Sequence, residues 1–171
     1  MSSLLLVSCY KARVTIENMT KTSKPFSYKE FSEIYSKVAR LTVEVVIIQD
    51  NKVLLTKRKL PSWHDMWHIP GGTVLYKEKV ADAIARVAKE EVGVKVEVEK
   101  ILGYIEYPSE ERERGFGWSV GMAFQCRIIE GNISPNEDSS DVQFFNPLPA
   151  NTIPEPKEFL ETTLPFLVTK L

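Results

Sequence analysis

Cysteine is scarce in this sequence: Cys9 and Cys126 are the only two among 171 residues. Two cysteines cannot build the disulfide framework on which small exported domains rely, so both read as free thiols in a reducing cytoplasm. Histidine is equally scarce, with His64 and His68 alone. They stand four apart, a spacing that suits zinc on a helix. Pro61 precedes them and Pro70-Gly71 follow, however, and no cysteine stands nearby, so neither the helical face nor a tetrahedral ligand set is available. His68 reads as a structural residue of a short strand, with a general base as its other reading. No apolar run approaches the roughly 18 residues that a bilayer span needs. A surplus of one charge is missing too. The 22 Lys and Arg against 23 Asp and Glu leave a net −1, which offers nothing to a nucleic acid polymer or an anionic membrane.

What is present suits one ordinary domain, with 43% hydrophobic and 26% charged residues. Leu6-Val7-Ser8-Cys9 has the look of a lipoprotein cleavage site. The apolar run covers only Leu4 to Val7 and no Lys or Arg precedes it, so both regions of an export signal are lacking. Residues 1–24 therefore read as a loosely attached leader, with Met19 as a second candidate start. Residues 25–171 read as a single domain without internal repeats.

Ser27-Tyr28-Lys29-Glu30 is a capping box, and Phe31, Ile34, Tyr35 and Val38 share a helical face, predicting a helix over about 28–40. Residues 41–49 (LTVEVVIIQ) are β-branched and end at Asp50-Asn51, so with 52–57 they predict a hairpin. Arg58 to Asp65 reads as a polar loop and Trp67-His68-Ile69 as a short strand before Pro70-Gly71-Gly72. A helix is predicted over 79–92, stopped by Gly93. Residues 95–107 alternate as a strand with a bulge at Gly103, and 108–115 (PSEERERG) read as a charged loop. A strand over 118–129, read as the longest, leads to an acidic loop at 134–141. A last strand at 142–145, a Pro-punctuated linker and a helix from about 156, broken near Pro165, complete the chain. The arrangement is an α/β protein, a mixed sheet with helices on two sides.

One helix carries a carboxylate in the wrong place. At about 100° per residue, Val80, Ala83, Ile84 and Val87 form an apolar stripe, and Glu91 falls on it one turn further on. A lone carboxylate facing a core costs several kcal/mol unless it is paired or bound to a metal. Glu90 and Arg86, spaced i, i+4 on the flank, can pair. Adjacent carboxylates beside a Gly-Gly turn suit a hard cation such as Mg²⁺, which takes oxygen ligands and retains water. Such an ion would neutralise a pyrophosphate and activate water.

The spacing Gly72, Glu78, Arg86, Glu90, Glu91, Gly93, Val94, with Ala88 at a bulky-aliphatic position, resembles the signature box of the Nudix family, over residues 72–94. With its flanking strands the resemblance covers about residues 40–147. It implies a Nudix fold, an α/β/α sandwich with a mixed β-sheet. It also implies Mg²⁺ (or Mn²⁺ in its place) on Glu90 and Glu91, with a carbonyl of Gly71 or Gly72 nearby. Glu78 and Arg86 would brace the loop and helix, and a homodimer is the family-level expectation. The Glu that follows the Arg in the family pattern is Val87 here, so one carboxylate is missing from the box.

The GDP-mannose mannosyl hydrolase branch, which also lacks that Glu, is similar through Lys57-Arg58, Trp67, Ile69-Pro70-Gly71-Gly72 and the acidic loop. That branch draws a metal-ligating amide and a His base from this loop; aligned here, those positions are Asp138 and Ser139. Asp138 can ligate Mg²⁺ or act as base, whereas Ser139 cannot replace His near neutral pH. The branch's arginine after Gly-Gly is Thr73 here. Other candidate bases are Glu110, Glu111 and Glu113 in one loop and Glu137 and Asp141 in the other. For substrate, Arg58 could grip a phosphate oxygen. By the resemblance Glu44 would face a nucleobase edge, although a one-sided strand would turn it to solvent. Trp63, Trp67, Tyr104 and Trp118 are candidates for base stacking or for core packing, with Trp67 singled out beside Gly72 at the substrate. The reading is a Mg²⁺-dependent hydrolase of a nucleoside diphosphate linked to another moiety, a nucleotide sugar or a nucleoside triphosphate. Its rival is a nucleotide-binding module that turns its ligand over weakly. An adaptor acting through Phe159, Leu160, Phe166 and Leu167 is a third.

Overall fold

The computed structural model of the protein describes residues 25–167; the leader, Met19 and Cys9 lie outside them. A capping box at Ser27 and Glu30 starts α1 (Tyr28–Tyr35), as the sequence predicts, but the helix stops one turn early and buries no residue. Strand β1 (Arg40–Gln49) is buried continuously from Thr42 to Ile47, as befits a strand covered on both faces. Asp50 and Asn51, both at positive φ, turn it into β2 (Lys52–Arg58).

The hairpin does not stay paired. β1 and β2 are in register only beside the turn, Ile48 with Val53 and Gln49 with Lys52. Beyond it, β1 takes β4 (Gly71–Thr73) as its antiparallel neighbour, while β2 takes β3 (Trp67–His68) and β7 (Ser139–Phe145). The expected Gly-Gly turn is thus a short strand. On its other side β1 runs parallel to β6 (Ser119–Glu130), which pairs antiparallel with the edge strand β5 (Lys95–Tyr107). The bulge expected at Gly103 appears as a register shift, and β5, not β6, is the longest strand.

Helix α2 (Val80–Val92) ends at Gly93, whose φ of 78° makes the left-handed stop. Its Ala83, Ile84, Val87, Ala88 and Val92 pack on Val43, Val45, Ile47 and Leu54. The opposite face of the sheet carries a second core, in which Leu160 of α4 (Pro154–Thr163) and Leu167 of a following 3₁₀ turn meet Val46, Val53, Leu55 and Trp67. Two helices on two faces of one seven-stranded mixed sheet make the expected α/β/α sandwich. Leu160 and Leu167 are consumed by the second core and Phe159 and Phe166 pack against it, which removes the surface an adaptor would need.

Residues 108–115 depart from expectation. They form α3 (Ser109–Arg114), a helix between β5 and β6 and not a loop, with Gly115 at φ 80° as its stop. Glu155 at the start of α4 accepts the Ser109 backbone N–H at 2.9 Å, anchoring the N-terminus of α3. No described helix is long and apolar enough to cross a membrane.

Candidate active site

Where β1 and β2 part, a cleft of about 100 Å³ opens, floored by Thr42, Glu44, Gly71, Gly72 and Ser119 and walled by Arg58, Trp63, Glu110 and Arg114. A helix, a strand pair and two connections meet at its rim.

The helix side is built on Arg86. Its Nε and Nη2 donate to the two oxygens of Glu78 at 2.7 and 2.8 Å, Nη2 also to the Thr73 carbonyl at 2.8 Å, and Nη1 to Glu90 at 3.0 Å. One fork therefore ties the end of β4, the connection and α2 together, and its charge holds the Glu78 carboxyl below the ordinary range. Glu78 in turn accepts the Leu75 backbone N–H at 2.8 Å. Gly72 is needed for close packing: a Cβ there would stand 2.8 Å from Val87 Cγ2. Val87, where the resembling box has its further Glu, is buried in the core.

Glu91 is half-buried and lies within the field of Arg58, which lines the cleft. Burial, with the negative charges of Asp138 and Glu90, pushes its carboxyl up to about 7 against the opposing pull of Arg58. Asn136 Nδ2 donates to Glu91 Oε1 at 3.2 Å, and its own Oδ1 accepts the Asp138 N–H at 3.1 Å. Asn136 was not legible as a site residue; the loop's amide lies two positions before the one that alignment selects. Glu90 is exposed and turned to Arg86, yet its charge still acts on Glu91.

The sheet side centres on Glu44. It is buried, not solvated, with Thr42 Oγ1 donating to Oε1 at 2.9 Å and the Tyr107 hydroxyl bonded to the same carboxyl. Burial pushes it up to about 8. Its carboxyl fits only because Gly71 and Gly121 flank it: a Cβ on either would stand 2.2 or 2.5 Å from a Glu44 oxygen. Arg58 leaves the end of β2 beside Glu91 and Asp138, and its Nε donates to the Ser62 carbonyl at 3.0 Å.

Other predicted residues fall elsewhere. Trp67 is a correction: it packs edge-on against Phe145 in the second core and does not line the cleft. The alternation of β3 turns it to the α4 side, whereas Trp63, in the connection, lines the cleft. Tyr104 and Trp118, at 66% and 43% exposure, join neither core nor cleft. His68 bonds Thr56 at 3.0 Å, and burial with the Arg58 charge pushes its ring down to about 3, so it is a poor base. Glu110 reaches the cleft, but Arg40 at 2.5 Å, Arg114 at 3.1 Å and a short bond from Ser119 saturate it. Glu111 and Glu137 are exposed, Glu113 pairs with Arg112, and Asp141 accepts from Val142 and Gln143. Ser139 is buried.

The residues expected to hold a metal, Glu91, Glu90, Asp138 and the Gly72 carbonyl, offer only oxygen donors. No three Asp, Glu, His or Cys side chains among the described residues converge. That pattern fits Mg²⁺, which binds through one or two carboxylates and keeps water and substrate phosphate as its other ligands. It does not fit a closed protein cage.

Comparisons with known proteins bear on the family and the fold. The family model described as NUDIX domain matches residues 38–163. An ADP-ribose pyrophosphatase of Methanocaldococcus jannaschii is 33% identical over 106 residues, 62% of this chain and 61% of that protein. The low-salt glycan biosynthesis protein Agl8 of Haloferax volcanii is 31% identical over 121 residues, 69% of this chain and 78% of that one. The match spans less than two thirds of the first relative's length and more than two thirds of the second's. Among solved structures, a MutT Nudix hydrolase of Burkholderia pseudomallei superposes with a TM-score of 0.66 at 23% identity, covering 72% of this chain and 97% of that one. At that identity the likeness carries the fold alone.

Proposed function

The chain belongs to the Nudix family, and on that premise we propose that it hydrolyses, with Mg²⁺, a nucleoside diphosphate linked to another moiety. The observation that carries this reading is the convergence at Glu91. A carboxylate on the last turn of α2 lies within the field of Arg58 and Asp138 and accepts the Asn136 amide, while Arg58, Gly71 and Gly72 line the cleft.

Glu91 would hold the metal with Glu90, Asp138 and the Gly72 carbonyl, and the bound ion would supply charge neutralisation and an acidified water. Arg58, set by Ser62, pairs a phosphate oxygen. Asp138 accepts the proton of the attacking water at its carboxylate, taking over from the position that Val87 occupies. Asn136 orients Glu91 and the Asp138 backbone at once. Thr42, Glu44 and Tyr107 form a polar floor able to meet the edge of a base. A cytoplasmic setting and a homodimer belong to the same proposal.

Val87 favours one rival, a domain that binds a nucleotide and turns it over weakly. A hydrolysis screen of nucleotide sugars, dinucleoside polyphosphates and nucleoside triphosphates with millimolar Mg²⁺ separates the two. Tight binding with every compound intact would replace the enzyme with the sensor. Where a compound is cleaved, ¹⁸O-water label in phosphate or in sugar distinguishes attack at phosphorus from attack at the anomeric carbon.

A further inference from the structure

Two guanidinium groups from distant parts of the chain meet at one indole. Arg58 comes from the end of β2 and Arg114 from the last residue of α3, and each guanidinium carbon stands 5.5 Å from the Trp63 ring centroid. The two cations are therefore at most twice that distance apart. The indole is fixed, since its Nε1 donates to Ser109 Oγ, at the start of the same helix, at 3.2 Å. All three side chains line the cleft.

The two arginines are not equivalent. Arg58 is oriented by Ser62 and lies within the field of Glu91 and Asp138, on the metal side. The charges acting most on Arg114 are those of Arg40, Glu110 and Arg58, and it stands on the α3 side of the cleft. Arg114 approaches Glu110 at 3.1 Å, but its buried Nε makes no hydrogen bond among the described residues. Glu110 is shared with Arg40 and Ser119. Arg40 and Arg114 thus share one already saturated carboxylate, and Arg114 keeps 20% of its side chain exposed. A buried guanidinium nitrogen left without a hydrogen bond is costly, and an anion entering the cleft can accept from Arg114 and relieve that cost. An uncharged sugar would offer Arg114 no charged acceptor.

Resting on the hydrolase reading above, the geometry points to a second anion subsite at the α3 end of the cleft. There Arg114 grips an anionic group, a carboxylate or a further phosphate, that the substrate carries beyond the phosphate facing Arg58. The preferred substrate is thus a nucleotide with an anionic outer moiety over one with a neutral sugar.

The test measures binding by calorimetry in EDTA, with hydrolysis in Mg²⁺ run in parallel. The probes are UDP-glucose as the neutral compound, UDP-glucuronate for the carboxylate and UTP for the phosphate. Wild-type protein is expected to bind at least one charged compound about tenfold more tightly than UDP-glucose, the scale of one charge-assisted hydrogen bond. A preference for the uronate alone, or for UTP alone, identifies the anion. Arg114→Met should erase the preference and Arg114→Lys should keep part of it, which separates lost charge from a disturbed helix. Equal affinity for charged and neutral compounds, no measurable binding of any, or a preference that survives in Arg114→Met would overturn the subsite. If the binding preference holds but nothing is hydrolysed, the hydrolase reading fails and the subsite stands.

Discussion

Asn136 donates its side-chain amide to Glu91 Oε1 at 3.2 Å, joining residues 45 positions apart. The bond crosses from the acidic connection before β7 to the last turn of α2. The same side chain receives the Asp138 N–H through its oxygen. A single amide therefore sets both the helix carboxylate and the loop that faces it. Asn136→Ala is expected to lower kcat by about tenfold or more and to raise the Mg²⁺ concentration needed for half-activation, as loss of a residue supporting a metal ligand does. Its melting temperature should change little. Unchanged metal dependence in the variant would remove Asn136 from the site.

Glu91→Gln should abolish turnover while keeping the fold. The pH dependence gives a second reading. A carboxyl raised to about 7 in the folded protein, from an ordinary 4.5, binds more protons folded than unfolded between those values. Its contribution to stability is thus complete below the lower value and is lost as pH rises through the upper one. Metal-free wild type should lose several degrees of melting temperature between pH 5 and 8 relative to Glu91→Gln, and Mg²⁺ should restore them. Parallel melting curves for the two proteins across that range would contradict the burial of a charge at Glu91.

Val87 tests what the box has given up. It is buried among Val43, Ile84 and Gly72, so Val87→Glu places a charge in the first core. The variant is expected to lose about 3 kcal/mol or more without metal, as unpaired buried charges do. If the new carboxylate reaches the metal position, millimolar Mg²⁺ should recover more stability in Val87→Glu than in wild type. Calorimetry with and without Mg²⁺ decides, and equal gains in both proteins would mean that position 87 does not face the metal.

Gly121 and Glu44 form a steric pair, because a Cβ at 121 would stand 2.5 Å from Glu44 Oε1. Gly121→Ala should cost about 1–3 kcal/mol by overpacking. Glu44→Ala frees that space, so the double variant should cost less than the sum of the singles, by about 1 kcal/mol. Strict additivity in urea unfolding would show that the Glu44 carboxyl lies elsewhere.

Much of this architecture is legible along the chain. Periodicity marks α2 and places Glu91 inward, because four apolar residues at helical spacing leave no other face for it. Asp50-Asn51 marks the hairpin, since both residues tolerate positive φ. The i, i+4 pairing of Arg86 with Glu90 follows from helix geometry alone. Residues 108–115 failed because a short, highly charged helix has no apolar stripe to reveal it; its stability comes from the Glu155 cap and from the contacts of Glu110, which are tertiary. Between stacking and core packing the sequence leaves Trp67 open, because a two-residue strand gives no alternation from which to assign a face.

The sequence by itself thus determined the family, the α/β/α layering and the helix that bears Glu90 and Glu91, all of which depend on local spacing and hydrophobic period. Tertiary structure decided the rest of the site. The parting of β1 from β2 made the cleft, and the glycines at 71 and 121 let Glu44 be buried there. The folding of α3 over the far end brought Arg114 to Trp63. These are contacts between residues 27 to 77 positions apart, and the spacing of side chains along the chain carries no record of them.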